Sequence, residues 1–152
     1  MSSIVIGWAG TLVLLGVLAR LSYIDWRTYR LPNIYTRGLI ALGLLYHYFL
    51  SLDLFPYLLG AVLGYAIFWS VETAYRVVRK RDGLGRGDAK LLAAGGAWCG
   101  AMALPFIILI ASSAGLIYIM SRPQDQRSDI QLAFGPFLAA GIAIIFIGLK
   151  FI

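Results

Sequence analysis

Two aspartates stand where a strongly apolar chain has little reason to put them. Asp88 follows the run Gly83-Leu84-Gly85-Arg86-Gly87 and heads an apolar segment, and Asp25 sits at the foot of the first apolar segment. An acid at the mouth of a membrane helix is costly, so its presence is by default a functional hypothesis. Two such acids on different helices point to an acid–base pair. In a low-dielectric site they do not readily both ionise; one pKa rises, and near neutrality the two share a proton. The ionised member can then take a proton from a water that attacks an amide carbonyl, while the protonated member polarises that carbonyl. This chemistry needs no metal and no cofactor. The glycines before Asp88 suit it, because they allow positive φ and close backbone approach, so that an extended substrate could lie beside the carboxylate. They could equally form a hinge that assembles the pair when substrate arrives.

Other chemistries fare worse. A Cys–His nucleophile would need Cys99 and His47, the only residues of their types. Both fall in apolar surroundings, and they read as a structural cysteine and an interfacial histidine. There is no GxSxG context for a serine hydrolase. A hard cation usually needs more carboxylates than two. Plainer readings of the acids stand beside the catalytic one: Asp88 as a helix N-cap, and Asp25 as a surface ion pair with Arg20 or Arg27. Arg86 and Lys90 could anchor a helix at the lipid headgroups. For Arg86 two directions stay open, the Asp25 carboxylate or solvent.

The elements that must position these residues are membrane helices. Of 152 residues, 61% are apolar and 13% charged, with a mean hydropathy of +0.82; a soluble domain is usually about 45–50% apolar. The composition predicts an all-α, polytopic membrane protein, residues 1–152 forming one domain. Six segments are long enough to be spans: Ile4–Ile24, Thr36–Leu52, Leu54–Tyr75, Ala89–Ala103, Leu104–Met120 and Gln131–Phe151. The fourth is short, which fits a helix with little tilt or one whose first turn lies in a wet cavity. No Lys or Arg precedes the first run, so it reads as a retained helix rather than a signal peptide. The spacings Gly60/Gly64 and Gly96/Gly100 predict close helix packing. One cysteine allows no intrachain disulfide.

Twelve of the 13 Lys and Arg residues fall in or beside loops one, three and five, and Lys150 stands alone near the C-terminus. The positive-inside rule puts those loops in the cytoplasm and both termini outside. The net charge of +6 is thereby read as topology, and nucleic acid is not expected as a partner. Asp25 and Asp88 fall on the same, cytoplasmic side, although the assignment used only basic residues.

The wider pattern resembles the type IV prepilin peptidase family of GxGD aspartyl proteases. Asp25 followed by Trp26-Arg27-Thr28-Tyr29-Arg30 and Leu31-Pro32-Asn33 looks like the family's first motif, an aspartate a few residues before a Leu-Pro-Asn-type turn. Gly85-Arg86-Gly87-Asp88-Ala89-Lys90-Leu91-Leu92-Ala93-Ala94-Gly95, continuing through Trp98, looks like the second. Phe134-Gly135-Pro136-Phe137-Leu138-Ala139 is similar to the opening of the last helix in bacterial members. The resemblance runs from Tyr23 to Gly141 and implies a six-helix core with Asp25 and Asp88 as the catalytic pair. Gly85, Gly87, Lys90, Pro32, Asn33, Gly135 and Pro136 are then motif residues that support it.

It implies an inner-membrane enzyme that removes the leader of type IV prepilins or pseudopilins at the cytoplasmic face, with no cofactor. The third motif tilts the expectation toward type IV pilus or type II secretion systems over tight-adherence pili. Longer members carry an N-terminal segment with two CxxC pairs, associated with N-methylation. Here the chain begins at the first core helix with one cysteine, so the expectation is the peptidase without that segment. Two alternatives remain: a related GxGD protease with another membrane substrate, and a non-catalytic scaffold or proton-coupled carrier. Neither the oligomeric state nor the particular pilin is legible.

Overall fold

The computed structural model of the chain describes residues 2–50, 53–79, 85–123 and 132–151. Of the residues named above, Leu52, Gly83, Leu84 and Gln131 lie outside them, as do Lys80, Arg81 and Arg127 among the twelve basic loop residues. Among the described residues there are six α-helices: α1 (Ser2–Thr28), α2 (Asn33–Leu50), α3 (Phe55–Arg79), α4 (Arg86–Cys99), α5 (Leu104–Met120) and α6 (Gly135–Phe151), with a short 3-10 turn, Ala101–Ala103, before α5. No strand occurs among the described residues. This is the all-α membrane bundle that the composition predicts. Val5–Thr28, Phe55–Val78 and Ala101–Met120 are long and apolar enough to cross a membrane, and α6 is a shorter apolar helix. Large apolar side chains such as Leu12, Ile34, Phe49 and Ile117 face outward, an arrangement suited to lipid, where close fit rather than water exclusion holds helices together.

α4 is the axis of the bundle. Leu91, Leu92, Ala94, Ala97 and Trp98 are buried, with α2, α3, α5 and α6 packed around them. Its 14 residues rise about 21 Å, short of the roughly 30 Å hydrocarbon core. Alanines and glycines let α3 reach it closely. A Cβ on Gly60 would lie 2.5 Å from the Gly96 carbonyl oxygen, and one on Gly64 would lie 2.7 Å from that of Leu92. Gly60, Gly64 and Gly96 thus pack as their spacing predicts. Gly100 does something else: at φ 85° it ends α4, its N–H donating to the Gly96 carbonyl at 2.8 Å.

The helix ends differ from the expected ones for local reasons. α1 continues past Ile24, carrying Asp25 within its last turns, and the Thr28 hydroxyl donates back to the Ile24 carbonyl at 2.8 Å. Tyr29, at φ 51°, then stops it, with its N–H on the Asp25 carbonyl at 2.8 Å. A bulky side chain in that left-handed region is strained. Pro32 starts the next helix, so α2 begins at Asn33, three residues before Thr36. α6 opens at Gly135, later than expected, with Pro136 second, where the fixed φ and missing N–H cost little.

At the end away from Asp88, α2 and α4 are clamped together. The Trp98 indole N–H donates to the Leu39 carbonyl at 2.8 Å, and His47 Nε2–H donates to the Trp98 carbonyl at 2.9 Å. The His47 ring stacks on Tyr57 with centroids 3.4 Å apart. His47 is therefore buried, at 8% exposure, and not interfacial as its position in the sequence suggests. The carbonyl and ring partners explain why burial is tolerated.

Candidate active site

Asp25 and Asp88 line one cleft of about 390 Å³, together with Gly85, Gly87, Lys90 and Asn33. Tyr29, Arg30, Leu31 and Arg86 complete its wall. The cleft brings together the turn between α1 and α2 with the start of α4. Six of the nine site residues named from sequence meet here. Pro32, Gly135 and Pro136 are not in the wall, yet Gly135 touches the site directly.

Asp25 is only 5% exposed. Its Oδ2 accepts the Gly135 backbone N–H at 3.0 Å. That N–H is one of the unsatisfied donors at the start of α6, where the helix dipole is positive and favours a carboxylate. A Cβ on Gly135 would lie 2.6 Å from Oδ2 and 2.9 Å from Cγ, so a glycine is required for this approach. Among the described residues Asp25 forms no ion pair with Arg20 or Arg27; Arg27 lies instead over the Tyr23 ring, 5.5 Å from its centroid. The surface ion-pair reading of Asp25 does not hold.

Asp88 lies in the first turn of α4 and is 8% exposed. The N-cap is Gly85, extended at φ −71° and ψ 137°, so the capping reading of Asp88 also fails. Its backbone N–H donates to the Gly85 carbonyl at 2.9 Å. Asp88 precedes the apolar run that starts at Ala89. Burial lifts its carboxyl to about 7, the negative charge of Asp25 adds to the rise, and a hydrogen bond from the Gly85 backbone opposes it. Gly87 allows α4 to begin hard against the α1–α2 turn, since a Cβ there would lie 2.7 Å from Leu31 Cβ. Lys90 Nζ donates to Asn33 Oδ1. It thereby joins the second motif to the first rather than reaching for headgroups.

Arg86 settles on neither of its two expected partners alone. Its side chain is 70% exposed, but Nε lies 3.6 Å from Glu72 Oε1. Glu72, on α3, is 4% exposed and also accepts from Arg76 Nη2 at 2.5 Å. The sequence reading passed over Glu72. An acid inside the third apolar segment was signal enough, by the reasoning applied to Asp25 and Asp88.

The remaining candidates do not assemble. Cys99 is buried with Sγ 3.9 Å from the Ile142 carbonyl, and His47 is committed to Trp98 and Tyr57. Among the described residues no group of three or more His, Cys, Asp or Glu could hold a metal ion. What the cleft offers is two buried carboxylates, one held by a backbone amide and one near its titration midpoint at neutral pH. That arrangement can activate water and protonate a leaving group.

Residues 12–120 match the family model described as the type IV leader peptidase family. A prepilin leader peptidase/N-methyltransferase of Escherichia coli (strain K12) is 47% identical over 126 residues, covering 82% of this chain and 56% of the relative. The relative of the same name from Pseudomonas aeruginosa is 42% identical over 136 residues, 86% of this chain and 47% of its own. That from Neisseria gonorrhoeae is 39% identical over 148 residues, 92% and 50% respectively. The chain spans about half the length of the curated relatives it matches. No solved structure matches it significantly.

Proposed function

The chain belongs to the type IV leader peptidase family, and from that premise we propose that residues 1–152 form one membrane-embedded aspartyl endopeptidase domain. It removes the leader peptide of prepilins or pseudopilins at the cytoplasmic face of the inner membrane, with both termini outside. The observation that carries the reading is the shared cleft: Asp25 and Asp88 open onto the same space from different helices. Relatives across most of this chain bear the name prepilin leader peptidase, which supports the substrate class. The basic loops support the orientation.

In this reading Asp25, with Gly135 N–H on Oδ2, is the ionised partner and takes a proton from the attacking water. Asp88, whose carboxyl titrates at about 7, holds the shared proton at neutral pH. It donates that proton to the carbonyl oxygen as water adds. Asp25, now carrying the water's proton, then protonates the departing amine, and Asp88 takes a proton back from the gem-diol hydroxyl as the C–N bond breaks. Gly85 and Gly87 leave room for an extended substrate backbone along the start of α4. The Lys90–Asn33 bond fixes the spacing between the two walls.

The test is cleavage of a co-expressed prepilin, followed as a mobility shift on a gel. The parent is expected to process it, and Asp25→Asn and Asp88→Asn, at matched membrane levels, to lose processing by 10²-fold or more, on the order of a general acid–base contribution. Persistent processing in either variant removes that acid from the reaction.

A further inference from the structure

The pair of acids is not the only charge problem in this part of the bundle. Among the described residues, the charged groups that line the cleft of Asp88 or pair at its edge are Asp25 and Arg30 from the α1–α2 side, Arg86 and Lys90 on α4 itself, and Glu72 and Arg76 on α3. α5 carries no charged residue, and the only one on α6 is Lys150, toward its far end. Lys90 is engaged by Asn33. Arg86 is different. It lies two residues before Asp88, inside the glycine run, and lines the same cleft as both aspartates. A long guanidinium side chain flanked by glycines has the freedom to swing onto either carboxylate. A cation within about 4–6 Å lowers a carboxyl pKa by about 1–3 units and would strip a shared proton at neutral pH.

Across from it, Glu72 is a buried acid that already has a partner, Arg76, at 2.5 Å on its own helix. That pair is sufficient to neutralise Glu72. Its second contact, with Arg86 Nε at 3.6 Å, reaches across to α4. We propose that Glu72 is a positioning residue that draws the Arg86 guanidinium away from the Asp25–Asp88 pair, so that the pair keeps its proton. The inference deepens the peptidase reading and rests on it for its purpose, since a proton held in the cleft matters only if the aspartates do chemistry. The placement of the charges stands by itself.

The experiment is an infrared titration of the whole chain in lipid nanodiscs, following the protonated-carboxyl band that Asp88→Asn removes. In Glu72→Gln the band is expected to titrate at lower pH than in the parent by about one unit or more, as a new cation contact would cause. Arg86→Gln should leave it within about half a unit, because Glu72 keeps Arg76. The double variant Glu72→Gln/Arg86→Gln should return it to the parent's position, and Glu72→Asp, which keeps the charge, should stay there. An unmoved band in Glu72→Gln overturns the inference. So does a shift that persists in the double variant, for that would be the field of Glu72 itself or a disturbed fold. If Glu72→Gln does not fold, a band at the parent's position in Glu72→Asp supports the placement and a shifted one overturns it. The band decides this question whether or not any prepilin is cut, so a parent that cuts nothing counts against the peptidase reading alone.

Discussion

At one end of the bundle sit Asp25 and Asp88, and at the other His47 and Cys99. All four side chains are buried to nearly the same degree, and each is of a type that can do chemistry. Their surroundings differ. His47 has a carbonyl partner and a stacked ring, and Cys99 lies against the Ile142 carbonyl. Both are consumed by the fold. The aspartates face an open cleft, one supported by a single backbone amide and the other desolvated beside a like charge. Burial alone therefore does not single out a candidate site in this protein; burial beside unfilled space, with the charge problem left standing, does.

The strongest test of that contrast is the pH dependence of stability. Asp88 is raised from 3.8 to about 7 by burial. Below about pH 4 both folded and unfolded chains hold the proton, and the stability is fully present. As pH rises the unfolded chain ionises first, so stability is lost progressively until about pH 7, by about 4 kcal/mol at 1.36 kcal/mol per unit. The thermal midpoint in nanodiscs should fall across that window in the parent and stay flatter in Asp88→Asn. A parent curve that is flat from pH 4 to 7 would place Asp88 among settled groups like His47.

The next effect is on rate. Gly135→Ala places a methyl against the Asp25 carboxyl, and a displacement on the scale of 1 Å can cost about 100-fold. Prepilin processing should fall by that factor while helical content by circular dichroism holds. Processing at the parental rate would show that the amide contact does not position Asp25. At the opposite end the pattern inverts. His47→Ala should lower stability by about 2 kcal/mol, the cost of an orphaned buried carbonyl and a lost ring contact, while the folded fraction still processes prepilin. A rate loss matching that of Asp88→Asn would break the contrast between the two ends. The smallest effect belongs to the link between motifs: Lys90→Met and Asn33→Ala should each cost about 1 kcal/mol and couple in a double-mutant cycle.

The helix count, the membrane character and the two acids were legible because each is written locally, in apolar runs and in glycines set before an acid. The joints were not. Gly135 meets Asp25 across 110 residues and Lys90 meets Asn33 across 57, and no periodicity encodes such pairs. Resemblance flagged all four residues without saying which touches which. Arg86 stayed ambiguous for the same reason, since its partner Glu72 stands on another helix. His47 was misplaced because a histidine near a helix end reads as surface until Trp98 and Tyr57 are seen to enclose it.

The close backbone contact between Gly60 and Gly96 belongs to a set of ties that join the helices carrying the two acids. α3 and α4 meet there without side chains between them, and α2 is tied to α4 through Trp98–Leu39 and Lys90–Asn33. These three helices are thereby joined to one another. α1 is tied to α6 by Asp25–Gly135 and by Lys150 donating to the Gly7 carbonyl, α5 packs on α6, and α6 in turn packs on α4. Asp88 belongs to the first set of helices and Asp25 to the second, and the backbone passes between them at the turn after α1 and at the 3-10 turn before α5. Tyr29 and Gly100 stand at these crossings, and they are the two positive-φ residues among those described. The chain therefore turns through left-handed backbone at both points where it passes between the helices tied to Asp88 and those tied to Asp25.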